Sequence, residues 1–142
     1  MRLVVLDTNV LVSAAMNSAG DPHRLVMDWV LGNRVHAVTC PEIVAEYRDV
    51  FARPKFARYG FPPQWMEYLI DRSLQLPDPP PWPHSLPDPG DAPFLALGQT
   101  SGAWLVTGNL KHFPARARHR ATVLSPVDYL ARLSETKPRP QS

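Results

Sequence analysis

The chain has 142 residues, of which 44% are hydrophobic and 20% charged, and a formal net charge of +2. That length suits one domain with a core of its own, and the composition is ordinary for a soluble globular protein. A net charge this small identifies no partner by itself, and the single cysteine, Cys40, excludes an intramolecular disulfide or a thiolate zinc cluster. Cys40 reads as a small buried residue ending a strand rather than as a nucleophile. No apolar run approaches the roughly 18 residues of a membrane span. Asp7 interrupts the first apolar stretch too early for a signal peptide, so a cytoplasmic protein is expected.

Arg2-Leu3-Val4-Val5-Leu6 is a short run of apolar β-formers that predicts a buried strand, ending in Asp7-Thr8-Asn9. A short helix is expected over Val10 to Met16, broken at Asn17-Ser18-Ala19-Gly20. Asp21-Pro22 reads as N-cap and first-turn proline of a helix reaching about Leu31, stopped by Gly32. Val35 to Thr39 is a second strand. Pro41 opens a helix whose apolar stripe is Ile43, Tyr47, Val50 and Phe51. After Arg53-Pro54 a linker runs through Phe61, and Pro62-Pro63 start a helix reaching about Leu74. Residues 77 to 93 hold eight of the 17 prolines (Pro77, Pro79, Pro80, Pro81, Pro83, Pro87, Pro89, Pro93), which predicts a stiff, extended segment. Trp82 within it points to docking on the domain rather than to a proline-rich ligand for an SH3-type partner. A domain boundary there is disfavoured, because the remaining C-terminal stretch is too short to fold alone. Asp91 heads a helix ending near Ser101-Gly102. Ala103 to Thr107 is a strand closed by Gly108-Asn109, Ala121 to Leu124 a last strand, and Pro126 to Leu133 a last helix. Strands alternating with helices predict an α/β fold with a parallel sheet covered on both faces. The domain is expected over residues 1–133, and the polar tail 134–142 to be disordered.

In open α/β folds, ligands bind beyond the carboxyl ends of the strands. Asp7 and Gly108-Asn109 fall there, and the helix headed by Asp91 and the one carrying Glu42 and Glu46 open towards the same crevice. Carboxylates gathered at one point raise one another's pKa, a conflict that a divalent cation removes. Oxygen ligands without Cys or clustered His select Mg²⁺ or Mn²⁺, and such sites typically hydrolyse phosphodiesters. Each residue also has a plainer role. Asp7, Thr8, Asn9 and Asp91 are good helix caps, Glu42 suits a first helical turn, and Glu46 lies on a polar face with Asp49 and Arg53. Between Gly108 and Arg120 the chain carries Lys111, His112, Arg116, Arg118, His119 and Arg120 with no acid. This is either a phosphate-binding patch or a solvated loop.

Four blocks taken in order resemble the PIN-domain family, in the VapC-like group described as toxin components of toxin–antitoxin systems. They are Val5-Leu6-Asp7-Thr8-Asn9-Val10-Leu11, Pro41-Glu42-Ile43-Val44-Ala45-Glu46-Tyr47-Arg48, Asp88-Pro89-Gly90-Asp91-Ala92-Pro93-Phe94-Leu95-Ala96-Leu97 and Leu105-Val106-Thr107-Gly108-Asn109-Leu110-Lys111-His112-Phe113. The resemblance covers nearly the whole chain up to the tail and implies a three-layer α/β/α sandwich. It implies a Mg²⁺- or Mn²⁺-dependent endoribonuclease with Asp7, Glu46 and Asp91 as metal ligands and Asn109 assisting. Many relatives carry Asp at the position of Asn109; an amide can still bind through its oxygen but adds no negative charge. Asp88 is a possible substitute carboxylate, though a turn role in Asp88-Pro89-Gly90 fits it better. Thr8, Asn9, Lys111, Arg116, Arg118 and Arg120 are the expected RNA contacts. A homodimer and a small antitoxin partner are further implications of the resemblance. The alternative is a catalytically weak or inactive fold that binds RNA or serves assembly. A haloacid-dehalogenase-type phosphatase is disfavoured because Asn9 stands where that family has its second Asp. A response-regulator receiver is disfavoured because no paired acids precede the strand-end Asp.

Overall fold

The computed structural model describes residues 2–135. Its centre is a five-stranded, all-parallel sheet flanked by helices, the three-layer arrangement expected from the sequence. In chain order, strand β1 (Arg2–Leu6) leads into α1 (Thr8–Met16) and α2 (Asp21–Arg24), which continues as a π-helical stretch (Leu25–Val30). Strand β2 (Val35–Thr39) is followed by α3 (Pro41–Phe51), a 3₁₀ helix (Pro54–Tyr59), α4 (Gln64–Arg72) and β3 (Leu74–Gln75). After the proline-rich segment come a 3₁₀ turn (Pro89–Asp91), α5 (Ala92–Ser101) and β4 (Trp104–Val106). Two 3₁₀ turns (Leu110–His112 and Ala115–Ala117), β5 (Val123–Leu124) and α6 (Pro126–Glu135) complete the chain.

The strand order is β3-β2-β1-β4-β5. The chain moves outward from β1 through β2 to β3, then crosses back to lay β4 on the other side of β1. This reversal opens a crevice between β1 and β4 at their carboxyl ends, the place where such sheets bind ligands. Leu6 pairs with Val106 across it, and the Asp7 amide donates to the Val106 carbonyl at 2.9 Å. Both strands are anchored by buried Val4, Val5, Leu6, Leu105 and Val106, so the crevice has a rigid floor.

Several boundaries differ from the sequence expectation. Helix α1 starts at Thr8, not Val10, because the Asp7 carbonyl already accepts the Val10 amide at 3.0 Å. The helix expected as far as Leu74 stops at Arg72, and Leu74 and Gln75 leave it to pair with Val38 and Thr39 as the edge strand. Both residues are exposed and too few to show an alternating pattern. The strands after Gly102 and before Ser125 are shorter than expected. The 53–61 linker contains the 3₁₀ helix, held by the ring contacts of Phe61 with Phe51, Phe56 and Tyr59. At Gly32 any Cβ would lie 2.3 Å from the Asp28 carbonyl oxygen, so only glycine fits where the π-helical stretch ends. The proline-rich segment is docked as expected: the Trp82 indole Nε1–H donates to the Ala117 carbonyl at 2.9 Å. Ser134 and Glu135 belong to α6, and the rest of the expected tail lies outside the described residues. No helix among the described residues is long and apolar enough to cross a membrane.

Candidate active site

The crevice beyond β1 and β4 is a cleft of about 330 Å³ lined by Asp7, Thr8, Asn9, Val12, Ser13, Glu46, Val50, Arg53, Asp88, Asp91 and His112. The three expected acids therefore converge from β1, α3 and the turn into α5.

Asp7 and Asp91 sit at the starts of their helices, but neither side chain makes a capping hydrogen bond. They are 4% and 8% exposed, too buried for solvated surface carboxylates. The Asp7 carboxylate instead accepts the Thr107 hydroxyl at 2.8 Å, and Thr107 Oγ1 accepts the Asn109 amide at 3.0 Å. Glu46 projects from α3 because Tyr47, its neighbour, is buried and donates its hydroxyl to the Leu6 carbonyl. That bond ties α3 to the end of β1 and turns Glu46 into the cleft, where Glu46 Oε2 accepts the Thr8 hydroxyl at 2.5 Å. Asp88 fills its turn role by accepting the Gly90 amide at 2.9 Å. It also has a carboxylate oxygen grouped with ligand atoms of Asp91 and His112, all within 4.8 Å of one another.

Burial raises the Asp7 carboxyl above its ordinary range, against the Thr107 hydroxyl, the amides of Thr8 and Asn9 and the nearby His112 ring. Burial also raises Glu46, reinforced by Asp7 and Asp88 and opposed by Thr8 and Arg53. Asp91 is pushed up to about 6, by burial first and then by Asp7, Asp88 and Glu46, with His112 acting against them. His112 Nδ1 lies 3.0 Å from Asp91 Oδ2. The contact is at ion-pair distance but outside hydrogen-bond geometry, which leaves Oδ2 buried with no hydrogen-bond partner. An orphaned carboxylate oxygen among like charges is costly unless something neutralises it. The donor set is carboxylate oxygens with one imidazole and no thiolate, which fits a hard or borderline divalent cation.

The other expected contacts lie differently. Asn9 Oδ1 accepts the Gly108 amide at 2.9 Å, tying α1 to the loop after β4. Asn109 is half-buried and touches the centre through its backbone; it does not line the cleft, and neither do Lys111, Arg116, Arg118 and Arg120. Arg118 Nε donates to the Phe113 carbonyl at 2.6 Å and so braces its own loop. Sequence reasoning misses Arg53 and the ligand potential of His112. In the sequence His112 groups with its basic neighbours, although a 3₁₀ turn after Asn109 returns it to the acids. Arg53, four residues beyond Asp49, looks from the sequence like one end of a solvated helix face.

An open parallel sheet with buried acids at its switch point is an α/β ligand-binding architecture, and its donor set fits a divalent cation. The PIN domain model matches residues 3–111, which shows that the chain belongs to the PIN-domain family, whose members are generally nucleases. No curated protein matches it in sequence. Among solved structures, it is similar to VapBC2 from Rickettsia felis bound to a DNA fragment from their promoter. That match has a TM-score of 0.61 at 13% identity and covers 87% of this chain and 98% of that one. FitAcB from Neisseria gonorrhoeae aligns with a TM-score of 0.55 at 16% identity, over 87% and 98% of the two chains. FitAB bound to an IR36 DNA fragment aligns with a TM-score of 0.51 at 20% identity, over 87% and 94%. At these identities the likeness is one of fold.

Proposed function

We propose that this PIN-domain protein is a metal-dependent endoribonuclease and the toxin of a toxin–antitoxin pair, acting in the cytoplasm. The observation that carries the reading is the buried Asp91 Oδ2, which accepts no hydrogen bond, beside Asp7, Glu46, Asp88 and His112. Asp7, Glu46 and Asp91 would hold Mg²⁺ or Mn²⁺, with Asp88 and His112 completing the set. Such an ion, when bound, lowers the pKa of a water and offsets charge on the phosphate. Thr107 and Thr8 orient the Asp7 and Glu46 carboxylates through their hydroxyls. Arg53 lines the cleft and is placed to take a phosphate oxygen; Lys111, Arg116 and Arg120 would hold RNA further out. Asn109 acts through its backbone, by fixing Thr107. A homodimer and a small antitoxin that covers the cleft complete the proposal, supported by the fold shared with VapBC2 and FitAB.

The second reading is an inactive RNA-binding or assembly module, and the amide at Asn109 is what favours it. The two are separated by RNA cleavage with Mn²⁺, Mg²⁺ or EDTA, alongside Asp7→Asn and Asp91→Asn. Cleavage that needs metal and disappears in both variants is expected. Absence of cleavage across varied RNAs, with no metal uptake by calorimetry, would transfer the assignment to the inactive module.

A further inference from the structure

Beside the acidic cleft lies a groove of about 440 Å³, larger than the cleft, and the two share Glu46. One wall is the start of α3 with Glu42 and Ile43, another is Phe94 of α5, and the third is the docked proline-rich strap with Pro79 to Trp82. The strap is held by the Trp82 indole on the Ala117 carbonyl, with Arg116 Nη1 3.5 Å from the Ser85 carbonyl on its far side. Trp82 also makes edge contacts with His84 and His119, whose rings are 5.9 and 6.5 Å away. The groove thus lies between the acids Glu42 and Glu46 and the Trp82 strap, and the basic loop carrying Arg116 and His119 packs against that strap as an outer rim.

We infer that this groove is the subsite for the nucleobase next to the scissile phosphate of a single-stranded RNA, with Trp82 as its stacking wall and Glu42 reading the base edge. The inference rests on the ribonuclease reading and adds the substrate contact that sets cleavage-site preference. A nucleobase is flat, apolar on its faces and polar at its edge, which matches an apolar slot with an acidic mouth. A phosphate is excluded, because Glu42 and Glu46 repel it and the α3 amide at Glu42 is already taken by Asp78 Oδ1 at 2.9 Å. The Glu42 carboxylate accepts hydrogen bonds only, so bases with an exocyclic amino group are favoured over uracil. The shared Glu46 places a base in the groove within one nucleotide's reach of the acidic cleft, and the backbone leaving it meets the basic rim. Base–aromatic stacking recurs in proteins that hold single strands.

The test is cleavage of a randomised single-stranded RNA pool with Mn²⁺, its cut ends sequenced, by the wild type, Trp82→Ala, Trp82→Phe and Glu42→Gln. Wild-type cuts are expected to avoid uracil at one position flanking the cut. Trp82→Ala is expected to raise KM about tenfold with kcat little changed, Trp82→Phe to retain most of the affinity, and Glu42→Gln to lose the bias against uracil. Glu42 is exposed, so that variant carries the test if Trp82→Ala fails to fold. Wild-type cleavage whose cut sites and KM are the same in Trp82→Ala and Glu42→Gln would overturn the subsite and leave the nuclease standing. Absence of wild-type cleavage would instead remove the ribonuclease reading, and the groove is then read by the Trp82 indole N–H resonance, identified by its loss in Trp82→Phe. A shift with adenosine or cytidine monophosphate supports a nucleotide site. No shift, or a shift only with a basic peptide, overturns it.

Discussion

Asp91→Asn is expected to stabilise the metal-free protein at neutral pH while it abolishes the proposed chemistry. The Asp91 carboxyl is raised from 3.8 to about 6, chiefly by burial and then by the neighbouring acids. Between those two values the folded state holds a proton that the unfolded state has released, so its stability falls as pH rises through this window and stays lower above it. A shift of two units corresponds to about 3 kcal/mol. Because the cleft is open to water, screening reduces this to about 1–2 kcal/mol. Asp7 and Glu46 are raised in the same direction and add to the slope. Removing the charge with an amide of the same shape should therefore raise Tm by about 3–6 °C at pH 7 in EDTA. Below pH 4 it should make little difference. Saturating Mn²⁺ should reverse the order, since an ion at 100 times its Kd stabilises the native wild type by about 2.7 kcal/mol. Thermal melts of both proteins from pH 3.5 to 8, with EDTA and with Mn²⁺, read all of this. Destabilisation of Asp91→Asn at pH 7 in EDTA, or a slope against pH equal to the wild type's, would refute the claim that the Asp91 charge destabilises the metal-free cleft.

The same geometry fixes three other outcomes. Thr107→Val keeps the shape of a fully buried side chain but removes the donor to Asp7 and the acceptor for the Asn109 amide; urea denaturation should show a loss of about 1–3 kcal/mol. His112→Ala should weaken Mn²⁺ binding more than Mg²⁺ binding in calorimetry, because an imidazole nitrogen favours the softer ion; an equal loss for both would place His112 outside the ligand set. Asn109→Asp should leave Mn²⁺ affinity within about twofold, because its side chain does not line the cleft. A large gain would mean that the side chain turns inward when metal binds.

The parts of the fold most legible in the sequence are those written by local chemistry. The run Leu3 to Leu6, the periodic stripe of α3 and the Pro41 start each concern residues that are neighbours in the chain. Asp7, Glu46 and Asp91 stand out because three acids at element ends coincide with an ordered set of family-like blocks. Features that depend on distant partners are not legible in this way. Strand β3 exists only because Val38 and Thr39 offer an edge to Leu74 and Gln75. The cleft position of His112 depends on a 3₁₀ turn whose residues look, in sequence, like any basic loop. Trp82 announces that the proline-rich strap docks, but the groove it forms with α3 and α5 belongs to no single segment.

The fold gives Asn109 a different meaning from the one its sequence position suggests. The cleft already holds four acids, Asp7, Glu46, Asp88 and Asp91, three of them raised above their ordinary range, and the Asn109 side chain does not line it. Asp88, from the turn before α5, already supplies a further carboxylate, and His112 supplies a donor without negative charge. Residue 109 therefore serves the acidic centre through its backbone N–H, which fixes Thr107 and, through it, Asp7. On the proposed reading, the departure from the acidic pattern at Asn109 shifts where the charge comes from, and Asp7, Glu46, Asp88 and Asp91 are the carboxylates that would hold the cation.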